Sequence, residues 1–531
     1  MAQSFTRRRF LHQVGAAGGS AAVYQMALAL GLMPGKAFGA PQLVTPLNGR
    51  KRSVVLLGGG LSSLMSAYEL ERAGYECTIL EASHRIGGRN FTVRSGDFID
   101  EMGNPQTCQF DDQPNLYFNA GAARIPAHHH YLVHYCRTLG VELETFTNVN
   151  YHAWIQDDAV AGGKPVRYRQ FITDARGFIA ELSAKAINAD AFDSNLTAED
   201  IEKVLAFLSS YGDLDPNLLY KGSNRAGYVQ PGLTSPTAGM LEHGTLPESL
   251  DFSELLKSDF WQFRMHFGES EDQAAAMMQP VGGMDNIVKG FVRNIKSPMY
   301  THAQVKNIRI GEAGVTVVYQ HDGQHRELQA DYCLNSIPKH LLVGIDNNFP
   351  PEYTQALSAI GRGKLFKIGI QMRERFWERD NIYGGISWTN QNIEQLWYPS
   401  HGIHSEKGIM LGAYTWNHEN AEFFARLDPQ QRFEVALDQG SRIHPDYRKY
   451  AENFVSIPWH RMNHHMGCTA QWTPETRELY FNYLQQPLSG RHYMMGDQLS
   501  YHPGWQEGAF SSAHNALTEL QKRVSAELAN G

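Results

Sequence analysis

Cysteine is scarce. Five residues, Cys77, Cys108, Cys136, Cys333 and Cys468, are spread along 531, and none forms a CxxC pair. An odd, dispersed set argues against both a disulfide framework and a structural zinc site. Positive charge is not concentrated either. Outside Arg7-Arg8-Arg9 there is no basic run, and the net charge of -8 gives no support to nucleic-acid binding. Beyond the first 40 residues no stretch is long and apolar enough to cross a bilayer. Solenoid repeats and long low-complexity tracts are also missing. What is present is an ordinary globular composition, 42% hydrophobic and 19% charged, with an 11% aromatic share suited to pockets for flat ligands. A chain of this length exceeds one core and predicts two or three domains.

The stretch Ser53 to Arg89 organises the rest. An apolar run, Val54 to Leu57, ends in Gly58-Gly59-Gly60; a helical pattern follows; a second apolar run, Thr78 to Leu80, ends on Glu81. This is strand, glycine turn, helix, strand, acid, the order that a dinucleotide needs. Gly58 allows the turn, Gly60 admits the pyrophosphate, and the helix N-terminus beginning at Leu61-Ser62 offers free N–H groups to phosphate. Glu81 falls 21 residues after Gly60, where an acid accepts ribose hydroxyls, and Ala82 follows it. Ser63 replaces the third glycine of the motif and is expected to be a tolerated packing variant. Gly87-Gly88-Arg89 adds a second close backbone segment and a fixed cation.

Elsewhere, Ser4 to Leu11 resembles a twin-arginine export signal, followed by a weakly apolar stretch and small residues at Ala37-Phe38-Gly39. The expectation is a processed periplasmic or secreted protein, without stable membrane insertion. Gly121-Ala122-Ala123-Arg124-Ile125-Pro126 combines small residues with a guanidinium suited to bidentate carboxylate binding. Residues 128 to 140 read as a helix; on one helix three consecutive histidines, His128 to His130, do not converge on one ion, so no metal is expected. Residues 166 to 270 read as a helical insertion, including a helix over Phe252 to Phe267, and Leu328 to Ile337 reads as one strand. Val305 sits at a strand position suited to pairing an adenine through its backbone. Lys364 and Lys367 are expected on opposite faces of a strand, so that at most one points into a site. Near the C-terminus, Gly496-Asp497 and a helix opened by Gly508-Ala509 offer a second surface to a cofactor.

Together, Gly58-Gly59-Gly60, Glu81, Gly87-Gly88-Arg89, Gly121 to Pro126, Lys364, Gly496-Asp497 and Trp505 to Ala509 resemble the flavin-containing amine oxidases, most closely the L-amino acid oxidase branch. The resemblance implies an α/β fold: a Rossmann-type FAD-binding domain (50–104, 276–345 and 457–531), a mixed-sheet substrate-binding domain (105–165 and 346–456) and a helical domain (166–270), after an export signal at 1–40. It implies that Arg124 binds a substrate carboxylate with Trp397 or Tyr398, and that Gly504 and Trp505 flank the amino group. Lys364 would hold a water near the flavin. The reaction implied is oxidative deamination of L-amino acids, with apolar or aromatic side chains favoured, to oxo acid, ammonia and hydrogen peroxide at the expense of O2. A homodimer is also implied. Trp459 and Cys468 are spaced like a Trp and a flavin-attaching Cys of monoamine oxidases, but non-covalent FAD is the expectation. Three alternatives remain open: an amino-acid monooxygenase giving an amide, a primary-amine or polyamine oxidase, and a flavin-binding protein without catalysis.

Overall fold

Ser53–Leu57 (β1) carries apolar residues in succession because both of its faces are covered. Val54 and Leu56 enter one hydrophobic core, and Val55 and Leu57 enter another on the opposite side. β1 is the middle strand of a five-stranded sheet. Glu76–Leu80 (β2) and then Met299–Tyr300 lie on one side of it; Tyr332–Asn335 and then His492–Met494 lie on the other. All four pairings are parallel. The helix Leu61–Arg72 (α1), between β1 and β2, covers one face with the C-terminal helix Gln506–Asn530. The computed structural model describes residues 44–188, 196–229, 241 and 244–530, so the export-signal reading lies outside the described residues.

The opposite face packs against an antiparallel sheet, Gln304–Ile310, Val315–His321 and Gln324–Ala330. The single strand expected over Leu328 to Ile337 is in fact two. Asp331 interrupts it, accepting hydrogen bonds from the Ser53 N–H and hydroxyl at 2.7 and 2.9 Å. The chain thereby leaves one sheet and enters the other beside β1.

A seven-stranded mixed sheet forms the second layer, with Gln395–Trp397, Gly408–Thr415 and Phe366–Met372 adjacent near one end and Ala451–Pro458 at the edge. Its alternating side chains feed two cores, Trp397 and Leu411 on one face, Tyr398 and Met410 on the other. A buried bidentate pair, Arg432 with Glu101 at 2.6 and 2.7 Å, ties the helix Pro429–Gly440 to the segment after Phe98–Ile99.

Two helices, Tyr168–Asn188 and Ala198–Gly212, form the body of the helical insertion. Gly212 permits their close packing, since a Cβ there would lie 2.4 Å from the Ala180 Cβ. The helix expected over Phe252 to Phe267 stops at Lys257. The Ser258 hydroxyl instead donates to the Asp157 carboxylate at 2.5 Å, and Ser258 is extended.

Candidate active site

A cavity of about 530 Å³ is lined by the β1–α1 turn, by Glu81, by Gly88-Arg89 and by residues of the mixed sheet. That volume lies within the ~300–1,000 Å³ usual for small-molecule sites. At its first end, Gly58 adopts φ +91° and packs so closely that a Cβ would lie 2.6 Å from Ser336 Oγ. Gly60 faces open space, with nothing within 4 Å of a would-be Cβ. It is the N-cap of α1, and it supplies no side-chain cap; the first turn has no acidic residue. The N–H groups at Leu61 and Ser62 therefore meet the cavity uncapped, with the positive end of the helix dipole behind them. Ser63 is fully buried, and its hydroxyl lies 3.0 Å from Ser336 Oγ, so this deviation from the glycine motif serves helix–strand packing.

Glu81 fixes the turn. Its carboxylate accepts from the Gly59 and Ser83 N–H groups at 2.6 and 2.7 Å. Gly88 lies against the Gly60 Cα, and the Gly121 Cα is pressed against the Arg89 carbonyl. Arg89 pairs with Asp497, whose second commitment is the Gly504 N–H at 2.7 Å. Asp497 thus holds a cation and a loop rather than presenting a free carboxylate. Ala122, Ala123, Gly496 and Ala509 also line the cavity. Three expected cofactor contacts are not on this lining: Ala82, Val305 and Gly508. Val305 points into the core of its strand, although Ala303, two residues earlier, donates to the Glu81 carbonyl at 2.8 Å. Gly508 is required by packing, since a Cβ would meet the His502 carbonyl at 2.3 Å. The helix there begins at Gln506, and the Glu507 carboxylate accepts from the Tyr131 and Leu132 N–H groups. The open Gly60 and the uncapped α1 fit the diphosphate of a dinucleotide flavin.

The second end is built around Arg124. It is buried, and one Nη donates to Gln273 Oε1 at 2.6 Å while Nε has no partner. Among the described residues it makes no ion pair. Its guanidinium lies 4.7 Å from the Trp397 ring centroid and 5.5 Å from that of Trp505, and burial pushes it down to about 10. Such a cation is costly to bury alone and is disposed to take an anion from the cavity. Trp397 reaches this site from behind the lining. Tyr398, its neighbour, does not: strand alternation turns it to the other core, where its hydroxyl contacts Ser387 and His444 at 2.7 and 2.6 Å.

The lysine expectation is corrected. Lys364 lies before the strand Phe366–Met372, and although it borders the cavity its ammonium pairs with Glu422 at 3.1 Å. Lys367 is the buried one. Its Nζ donates to the Gly121 carbonyl at 2.7 Å and sits 4.3 Å over the Tyr414 ring. Burial, aided by the Arg124 cation, lowers it to about 7. The sequence sign was available: one lysine flanked by Phe366 and Ile368 in a strand whose first five residues are otherwise uncharged and without polar side chains. Gln273 and the lining aromatic Phe263 carried no such sign. The histidine reasoning is also corrected. The helix starts at His130, so His128 and His129 precede it, and both direct Nε2 at Asp272.

Cys468 borders the cavity, its thiol pushed up by burial and its carbonyl accepting from Arg89.

Residues 61–519 match the family described as flavin containing amine oxidoreductase. The chain belongs to that family. It is accordingly a flavin-using oxidoreductase. It is 26% identical to an L-amino-acid oxidase of Pseudechis australis over 497 residues, covering 90% of this chain and 89% of that protein. With an L-amino-acid oxidase of Siganus canaliculatus it shares 25% identity over 482 residues, 89% of this chain and 85% of the other. The fold is that of putrescine oxidase, solved with putrescine bound (TM-score 0.58, 16% identity, 90% of this chain and 99% of that one). It is likewise that of cyclohexylamine oxidase from Brevibacterium oxydans (TM-score 0.58, 16% identity, 90% and 100%).

Proposed function

We propose that the protein is an FAD-dependent L-amino acid oxidase, converting L-amino acids, O2 and water to 2-oxo acids, ammonia and hydrogen peroxide. The observation that carries this is Arg124, a buried cation that makes no ion pair among the described residues, on a cavity wall made of aromatic rings. An amino-acid carboxylate supplies the missing charge, in a bidentate geometry that an amine cannot offer. The L-amino-acid oxidases among its relatives support the same reading.

Bound FAD supplies a hydride acceptor that dioxygen reoxidises. The uncapped α1 N-terminus, Gly60 and Gly88 would hold its diphosphate, and Glu81 its ribose end. Arg124 orients the carboxylate, which fixes where the Cα–H points. Trp505 and Tyr414 line the cavity beside it and exclude water. Lys367, near neutrality in its charge state, holds or takes a proton between Gly121 and the Tyr414 face. Trp416 and Phe263 make the remaining wall apolar, which favours apolar or aromatic substrate side chains. FAD is held without a covalent bond, the protein acts as a homodimer, and the twin-arginine motif takes it to the periplasm or beyond.

Replacing Arg124 by Ala tests the assignment. A lost buried charge-assisted contact costs ~2–5 kcal/mol, or roughly 30-fold to several thousand-fold in kcat/KM for L-amino acids. The flavin spectrum should persist. Turnover that survives in R124A would transfer the assignment to a primary-amine oxidase, a reading the putrescine and cyclohexylamine enzymes of the same fold keep in view. Recovery of amide and carbon dioxide in place of oxo acid and peroxide would make it a monooxygenase.

A further inference from the structure

Asp272 lies beside the cavity but takes no part in the chemistry above. Its Oδ1 is 3.0 Å from His128 Nε2 and 3.1 Å from His129 Nε2, and its Oδ2 is 3.6 Å from His502 Nδ1. Two separate chain segments therefore converge on a carboxylate carried by a third. The ligating atoms of His128, His129 and Asp272 all fall within 4.8 Å of one another. Zinc bonded tetrahedrally to imidazole nitrogen at ~2.0–2.1 Å needs its ligands about 3.3 Å apart. The two His–Asp272 separations, 3.0 and 3.1 Å, already lie close to that spacing. The His128 and His129 rings stand nearly perpendicular, at 84°, so their nitrogens approach the carboxylate from different directions.

We propose that His128, His129 and Asp272, completed by His502, bind a first-row divalent cation of the Zn2+ class. Imidazole-rich ligation selects that class over Ca2+ and Mg2+, which require oxygen shells. His129 is almost wholly inaccessible; its Nε2 faces Asp272, and among the described residues its Nδ1 has no hydrogen-bond partner. One carboxylate with three imidazoles leaves a net charge of +1 once the cation is bound. The site is tied to the cavity on two sides. Gln273, which holds Arg124, follows Asp272 directly, and the His129 ring packs edge-on against Trp505 at 5.1 Å. A bound cation would fasten the segments carrying both walls.

The test is calorimetric titration of ZnCl2 into chelator-treated holoenzyme, alongside thermal unfolding with and without Zn2+. The parent should take up one tight equivalent per chain and gain thermal stability, because the cation binds only the folded arrangement. Asp272→Asn and, separately, His128→Ala should lose the tight equivalent and the stability gain. His128 is partly exposed, so its removal leaves the fold and the flavin spectrum as controls. With 23 histidines in the chain, weak binding elsewhere is expected in every sample. A parent that shows only such weak binding, or variants that keep the tight equivalent, would overturn the proposal.

Discussion

Lys367 is the residue whose environment makes the sharpest demand. Its folded value of about 7 lies well below the ~10.4 of an unfolded lysine. Between those two values the unfolded chain binds more protons, so this group makes the fold more stable as pH rises from about 7 to about 10. Below pH 7 the full penalty of a buried ammonium is present. Lys367→Met should therefore stabilise the apoprotein at pH 7, and flatten its stability profile over that window in pH-dependent denaturant melts. Catalysis should respond in parallel. The parent kcat/KM for an L-amino acid is expected to rise through pH 7, as Lys367 loses its proton and can accept one from the incoming ammonium. An unchanged limb in Lys367→Met would remove Lys367 from the proton account. The same scale explains the misplaced lysine. Alternation is read correctly only once the strand's first residue is known, and this strand begins at Phe366, beyond Lys364. Trp397 and Tyr398 pose the same problem, because alternation says that one of them faces the cavity but not which.

At the scale of elements, local chemistry was legible and distant partners were not. The β1–α1 turn could be read because glycines and helix caps act over a few residues. The end of the helix at Lys257 could not, since the Asp157 that takes the Ser258 hydroxyl is 101 residues away. Nor could the convergence of His128 and His129 on Asp272, which depends on the helix starting two residues later, at His130. The Arg432–Glu101 pair belongs to this class as well: both side chains are fully inaccessible, and nothing in either local sequence names the other. Its strength is conditional on both partners. Arg432→Leu leaves the buried Glu101 carboxylate beside Gln106 without its cation, and should cost about 3–5 kcal/mol, read as a lowered denaturation midpoint. The double variant Arg432→Leu with Glu101→Leu should recover much of that loss. A single variant with parental stability would show that the pair contributes little.

For the whole molecule, the cofactor joins segments that are far apart in the chain, so flavin loading and folding are coupled. Excess FAD should raise the unfolding temperature, with stabilisation growing as RT ln(1 + [L]/Kd), about 4 kcal/mol at a thousandfold excess over Kd. Acid precipitation should leave the yellow chromophore in the supernatant. Colour that stays with the polypeptide would instead place a bond at Cys468, whose thiol burial keeps protonated.

The five-stranded sheet carries one more consequence, for the order of events during synthesis. Its central strand is made first, at Ser53–Leu57, but an outer strand, His492–Met494, and Asp497, which holds Arg89, emerge only after all the other strands of the sheet. A ribosome therefore completes the cofactor pocket only once these segments have emerged, and flavin capture reports that synthesis has passed them. Nascent chains arrested before residue 490 should bind no flavin, whereas release of full-length chains should switch binding on in a single step. Capture by the arrested chains would show that the first half of the sheet suffices.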